Sequence, residues 1–267
     1  MFISSLQNPR IKEAVKLRDR RTREESDLFL IEGYRELKRA LDHGRKIQTI
    51  FYCPSFYLGT NEELLISQMG QADQIECTKE VFEKISYRDR PDGLIAIAPQ
   101  QHLKLTDLDE ILSKKKLPFL VVAESIEKPG NLGTILRSCD AAGVDAVIVC
   151  DPTTDIHNPN VVRASVGTLF TLPVLEANSE ETLQFLKDRK ILTAAATPHA
   201  KIEYTEANFK VPLAIVVGTE QYGLSENWMK NADLSVRIPM FGVADSLNVA
   251  SATTLMLYEV IRQRKFS

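Results

Sequence analysis

Sulfur is scarce in this chain. Only four cysteines occur among 267 residues, Cys53, Cys77, Cys139 and Cys150, and no C-x-x-C pair marks a zinc or redox centre. They read as reduced packing residues. Long apolar runs are missing too: no stretch approaches the roughly 18 residues that a membrane-spanning helix needs. The opening residues, Met1-Phe2-Ile3-Ser4-Ser5, have neither the basic nor the long apolar region of a secretory signal. A cytoplasmic location is therefore expected. The phosphate-cradling pattern G-x-G-x-x-G is absent, which weakens any reading as a nucleotide-dependent oxidoreductase. Nor is one sign of charge in excess: 33 basic and 36 acidic side chains give a formal net charge of −3. Bulk electrostatics thus do not advertise a nucleic-acid partner, and any basic surface must be local. What remains is ordinary for a folded protein, with 44% hydrophobic and 26% charged residues. At roughly 150 residues per domain the length suggests about two domains.

Local basicity appears early. Between Arg10 and Arg23 stand seven basic residues, Arg10, Lys12, Lys16, Arg18, Arg20, Arg21 and Arg23, against Glu13 and Asp19, a net +5. A charge run of this kind is commonly just the solvated face of a helix, so it needs support from elsewhere before it counts as an RNA contact. Beyond it, Phe29-Leu30-Ile31, a helical stretch from Tyr34 to Asp42, and strands at 47–51, near Ile75 and at 93–98 alternate with helical Glu62 to Met69. This is the pattern of a small α/β domain. Residues 99–116 read as a connector with one short helix. The expected division is a domain over 1–105, a linker over 106–117 and a second domain over 118–267.

In the second domain, apolar runs at 119–123, 146–150, 192–196 and 213–217 read as strands buried on both faces. The segments 131–143, 179–190 and 225–232 have helical character, so a mostly parallel sheet covered by helices is predicted.

Three loops after these strands carry candidate chemistry. The first is Lys128-Pro129-Gly130-Asn131-Leu132-Gly133, leading to Arg137. Asn131 is placed to cap a helix whose buried face is Leu132, Ile135, Leu136 and Cys139, which leaves Arg137 elsewhere. Alone, this is an ordinary strand-turn-helix with a surface arginine. The second is Gly218-Thr219-Glu220-Gln221-Tyr222-Gly223-Leu224. Here Gly218 permits close backbone approach, Gly223 a positive φ, and Glu220 sits at the sheet edge where α/β folds bind ligands. The third, Ile238-Pro239-Met240-Phe241-Gly242 through Ser246-Leu247-Asn248, opens a terminal helix that runs to about Arg264. Ser246 and Asn248 either cap that helix or address a ligand.

In this order, N-x-G-x-x-x-R, G-x-E-x-x-G-L and I-P-M-x-G-x-x-x-S-L-N-V-A resemble the SpoU/TrmH branch of the SPOUT superfamily of RNA methyltransferases. The first hundred residues, with Ser5-Leu6-Gln7-Asn8-Pro9-Arg10 and Phe29-Leu30-Ile31-Glu32-Gly33, look like the small RNA-binding domain that many of these enzymes carry. The resemblance implies an α/β C-terminal domain with a deep trefoil knot and a mostly parallel sheet. It also implies S-adenosyl-L-methionine as cofactor, a homodimer packed near the cofactor site, and methyl transfer to a ribose 2′-hydroxyl of RNA. Ribosomal RNA is the preferred substrate; transfer RNA, or RNA binding without chemistry, are the alternatives. By the same implication Gly218, Ile238, Met240, Gly242 and Leu247 contact the cofactor, while Asn131, Arg137, Glu220, Ser246 and Asn248 serve substrate and catalysis. Arg10, Arg18, Arg20 and Arg21 then become RNA ligands. Arg163 joins them because Asn158-Pro159-Asn160-Val161-Val162-Arg163 resembles an intermediate loop of the family, although it also reads as a plain surface arginine. Two departures stand out: Lys128 replaces a more usual acid or amide, and Val249-Ala250-Ser251-Ala252 varies the usual order of small residues.

The implied chemistry asks a weak nucleophile to attack in line, so orientation in a water-poor site should supply much of the rate. A guanidinium stays protonated in proteins, which makes Arg137 awkward as a simple base. The consistent role is bidentate grip on a neighbouring phosphate, with the proton passing to that phosphate or to a transiently perturbed Arg137.

Overall fold

The computed structural model describes residues 1–265. The chain divides into two compact units, one formed by Met1–Gln101 with His157–Thr171, the other by His102–Ile156 with Leu172 to the end of the described chain.

The first unit contains β1 (Phe2–Ile3), α1 (Pro9–Lys16), α2 (Arg20–Ser26), β2 (Leu28–Glu32), α3 (Tyr34–Asp42), β3 (Thr49–Tyr52), α4 (Glu62–Ser67), β4 (Asp73–Cys77), α5 (Lys79–Ile85) and β5 (Leu94–Pro99). The strands form one sheet in the order β1-β4-β3-β5-β2, parallel from β1 to β3 and antiparallel at β5 and β2. Ile11, Phe51, Ile75, Phe82 and Ile95 form the centre of its core. The basic run is not one helix. Arg23 is buried and donates from Nη1 to the carbonyl oxygens of Leu17 (2.9 Å) and Arg18 (2.7 Å), taking up acceptors just past the end of α1 so that the chain turns before α2.

The second unit starts with α6 (Leu108–Ser113), whose Leu108 and Leu112 are buried in its core. The segment expected as a connector therefore contributes packing. β6 (Phe119–Glu124), α7 (Pro129–Ala142) and β7 (Ala146–Cys150) follow. The chain then supplies α8 (Pro159–Ala164) to the first unit, although the sequence pattern leaves 157–171 in the C-terminal domain. β8 (Val174–Ala177), α9 (Ser179–Asp188), β9 (Leu192–Ala196), β10 (Ile202–Glu203), β11 (Leu213–Val217), α10 (Glu226–Asn231), β12 (Leu234–Arg237) and α11 (Val249–Lys265) complete the unit.

Seven strands in the order β10-β12-β9-β11-β6-β7-β8 pair in parallel throughout. β6, β7 and β11 are buried along their whole length, as their unbroken apolar runs require. β12 escapes the sequence reading because only Val236 of its four residues is buried. The four cysteines are buried free thiols, and burial pushes Cys77 and Cys150 up to about 12, so they stay protonated and inert. No helix among the described residues is long and apolar enough to cross a membrane.

Candidate active site

Parallel pairing brings the carboxyl ends of β6, β11 and β12 to one edge of the second sheet, and the three candidate loops leave from there. The loop after β11 is a closed turn. Thr219 and Gly223 exchange main-chain hydrogen bonds at 3.0 and 3.1 Å, and Gly223 has φ +70°. A Cβ on Gly218 would strike the Gly223 carbonyl and come within 2.7 Å of the Leu224 nitrogen, so only glycine closes this turn. Glu220 is carried at its tip.

The Glu220 carboxylate is the meeting point of the three motifs. Its Oε1 accepts from Asn131 Nδ2 and from Asn248 Nδ2 at 2.5 Å, and its Oε2 accepts from Lys128 Nζ at 2.7 Å. Asn248 Nδ2 also donates to Asn131 Oδ1 at 3.2 Å, which closes a triangle of side chains. The Lys128 ammonium, followed by the Asn131 amide, holds the Glu220 carboxyl below its ordinary value of 4.5, and Glu220 in turn raises Lys128. A carboxylate with three donors and a depressed pKa is a poor proton acceptor and a good clamp.

Asn248 also works through its oxygen. Oδ1 accepts from the Ala250 nitrogen at 3.0 Å and the Ser251 nitrogen at 3.4 Å, which caps α11 while the amide NH2 faces Glu220. The capping reading of this residue holds, and its amide is spent on Glu220 and Asn131. Asn131, by contrast, does not cap: α7 begins at Pro129 with Lys128 in the N-cap position, and Asn131 lies in the first turn with its side chain spent on Glu220. The buried face of α7, Leu132, Ile135, Leu136 and Cys139, is as the spacing predicts. Arg137 is exposed six residues on, about 9 Å along the axis, and among the described residues its guanidinium makes no hydrogen bond or ion pair. Asn131 and Asn248 therefore position Glu220 and each other, and the structure gives neither a bond to Arg137. Ser138 Oγ and Thr254 Oγ1, 2.8 Å apart, tie α7 to α11.

From Pro239 to Leu247 no main-chain or side-chain group makes a hydrogen bond among the described residues. Ile238 and Met240 are half-buried, whereas Gly242, Ser246 and Leu247 are exposed. A run of free amides and carbonyls flanked by apolar side chains fits a ligand such as adenosine, which presents donors, acceptors and an apolar ring face.

Comparison with known proteins decides the family. A family model described as the SpoU rRNA methylase family matches residues 118–258. The chain belongs to the SpoU rRNA methylase family. A second model, described as an MRM3-like substrate binding domain, matches residues 8–96. A 23S rRNA (uridine(2479)-2′-O)-methyltransferase of Streptomyces viridochromogenes is 32% identical over 92% of this chain and 86% of its own length. Among solved structures, an RNA 2′-O ribose methyltransferase superposes with a TM-score of 0.84 at 40% identity over 99% of both chains. An AdoMet-bound rRNA methyltransferase from Sinorhizobium meliloti gives 0.89 at 31% identity, over 100% of this chain and 99% of its own.

Within a SpoU chain, the lysine at 128 becomes intelligible as the cationic partner of Glu220. The sequence reading missed a second support. Glu124, buried at the end of β6, accepts from the Ser225 nitrogen at 2.8 Å through Oε2, and its Oε1 lies 3.3 Å from Ser179 Oγ. Ser179 Oγ donates to Asp151 Oδ2 at 2.5 Å and accepts from the indole nitrogen of the buried Trp228 at 2.9 Å. This network anchors the far end of the Glu220 turn and the start of α10. An acid closing an otherwise apolar strand was the available signal.

The structure places the predicted RNA residues in different settings. Arg18 Nη2 donates to the carbonyls of Lys84, Ile85 and Ser86 at 2.8, 2.9 and 2.5 Å, capping the end of α5, so its charge is committed to the fold. Arg10 pairs with Asp73 at 2.8 Å, and Arg20 and Arg21 pair with Glu24 and Glu25 at 2.7 Å on the exposed face of α2. Such surface pairs are weak and exchangeable. Arg163 on α8 is exposed.

Proposed function

We propose that this protein transfers a methyl group from S-adenosyl-L-methionine to a ribose 2′-hydroxyl of RNA, with ribosomal RNA as the substrate. The observation that carries the reading is the single node in which Asn131, Glu220 and Asn248, from three separate loops, meet at the carboxyl edge of a parallel sheet, beside a loop of unengaged main-chain groups. The names of the relatives support it, and those named for 23S rRNA include both uridine and guanosine enzymes, so the base is left open.

When bound, the cofactor supplies a methyl group made electrophilic by a positively charged sulfur. Gly218, Ile238, Met240, Gly242 and Leu247 hold it, largely through main-chain groups. Arg137, without a partner of its own, grips a phosphate of the RNA bidentately and so places the adjacent 2′-hydroxyl. The hydroxyl proton passes to that phosphate, or to Arg137 once its guanidinium has given up a proton of its own to solvent. Glu220 clamps Asn131 and Asn248 and takes no proton. Ser246, exposed at the mouth of α11, addresses the ribose. Paired Arg20 and Arg21 exchange their carboxylates for phosphates, as does Arg10.

The finer parts of the reading are a trefoil knot through the cofactor loops, a cytoplasmic location and a homodimer. Phe241 and Val243 are almost fully exposed, and Leu255 and Tyr258 form an exposed apolar pair on α11, which supports a second copy covering this face. Incubation of the purified protein with methyl-labelled cofactor and separated ribosomal and transfer RNA tests the assignment. Label in ribosomal RNA that survives alkaline cleavage as a 2′-O-methyl dinucleotide is expected. Label confined to transfer RNA moves the substrate, and no label in any RNA rejects the activity. A non-catalytic RNA binder would give that last result while still binding RNA.

A further inference from the structure

The first unit holds a cleft of about 780 Å³ that takes no part in the site above. It is lined by the start of α3, the turn before α4, the loop before β5 and α8, so 157–171 completes it from a distant part of the chain. Four arginines and four acids line it, but they are not equivalent. Arg88 is mostly buried and committed: Nη2 donates to Glu36 Oε1 at 2.7 Å and to the Glu32 carbonyl at 2.8 Å, and Nη1 donates to Asp92 Oδ2 at 3.2 Å. Glu62 is buried and accepts from the Gly59 nitrogen at 2.8 Å, and Asp92 accepts from the Tyr34 nitrogen at 3.0 Å. Those charges are internal scaffold. The accessible charges are Arg35, Arg90 and Arg163 against Asp89, and among the described residues none of the three guanidiniums makes an ion pair or hydrogen bond. The arginines of the early basic run, by contrast, all have partners, so these three free guanidiniums in one concavity stand apart from them. Half-buried Tyr34 and the exposed Leu58 line the same cleft.

Free guanidiniums bordering an aromatic and an apolar side chain suit a polyanion with exposed ring faces. We propose that this cleft binds a single-stranded segment of the RNA substrate, with phosphates on Arg35, Arg90 and Arg163 and an unpaired base stacked on Tyr34. The inference rests on the RNA methyltransferase reading and adds a docking site separate from the Glu220 node.

Fluorescence anisotropy on the full chain tests it, using a labelled 12-nucleotide single strand of mixed sequence and a duplex of the same sequence. The triple variant Arg35→Ala/Arg90→Ala/Arg163→Ala should bind the single strand at least tenfold more weakly. Its log–log salt slope should be about 2 smaller, from three phosphate contacts at roughly 0.7 each. The triple lysine variant should keep most of the slope, which separates lost charge from lost folding. Tyr34→Leu should weaken binding at least about fivefold while Tyr34→Phe stays near wild type. All variants should bind S-adenosylhomocysteine with unchanged affinity. An unchanged affinity and slope in the triple alanine variant overturns the cleft assignment, as does equal or tighter binding of the duplex by the wild type. Neither result touches methyl transfer itself, which the labelling experiment judges separately.

Discussion

Glu220 separates two mechanisms, because clamping and proton transfer make different demands on its side chain. In Glu220→Gln one oxygen remains to accept from both Asn131 and Asn248, and the new amide faces Lys128, whose long exposed side chain can swing away. The loss is then one surface ion pair, small and screened by salt. In Glu220→Ala both asparagine amides lose a charged acceptor. Such bonds are worth about 1.5–3 kcal/mol when sheltered. With the Glu220 side chain 27% exposed, half of that is reasonable, or about 2 kcal/mol for the two. For a protein of this size that is a fall in Tm of about 4–8 °C. The expected outcome is a glutamine variant within about 2 °C of wild type and within about fivefold in kcat, and an alanine variant slowed about a hundredfold as Asn131 and Asn248 lose register. Thermal melts and single-turnover methylation read both effects. Since Glu220 titrates below 4.5 in the folded chain, its stabilisation is complete above that pH and is lost as pH falls through the depressed value. The stability gap between wild type and Glu220→Gln should therefore close in acid. A glutamine variant as inactive as alanine, but folded and still binding cofactor, would show that the charge performs chemistry and would refute the clamp.

Other perturbations test other parts of the account. Arg137→Ala should abolish turnover with little change in cofactor affinity, because the exposed guanidinium supports no other residue; near-normal methylation would remove it from the mechanism. Arg18→Ala should lower stability by about 2 kcal/mol by uncapping α5, whereas Arg20→Ala/Arg21→Ala should leave Tm unchanged and reduce only the salt dependence of RNA binding. Equal melting curves for all of these would contradict the division between fold and surface arginines. Glu124→Ala strands the Ser225 amide, at a cost of about 2–4 kcal/mol or roughly 5–15 °C, and should alter the fluorescence of Trp228, the chain's single tryptophan. Glu124→Gln should restore most of both signals.

Much of this site was legible in the chain because its geometry is local. Gly218 and Gly223 declare a turn that only glycine closes, and the spacing of Leu132, Ile135, Leu136 and Cys139 fixes the buried face of α7. The fully buried strands announce themselves by unbroken apolar runs, while β12, with one buried residue, does not. What stayed hidden depends on pairings distant in sequence. Nothing around Arg18 indicates that its guanidinium caps main-chain carbonyls 66 to 68 residues away rather than facing solvent, so counting charge overstated the free basic surface. Asn131 resembled an N-cap because its partner Glu220 lies 89 residues away. Lys128, a departure at the level of motif, is explained only once that same carboxylate is in view.

The central claim is that three loops of the C-terminal sheet assemble one site for ribose methylation, with Arg137 at its working end. Quantitative mapping of 2′-O-methyl nucleotides across total RNA, in cells with and without the gene, addresses that claim most directly. The account predicts one ribosomal RNA position that loses its methyl group without the gene, regains it with the wild-type chain and stays unmodified with Arg137→Ala. An unchanged 2′-O-methyl profile, or restoration by Arg137→Ala, would contradict it.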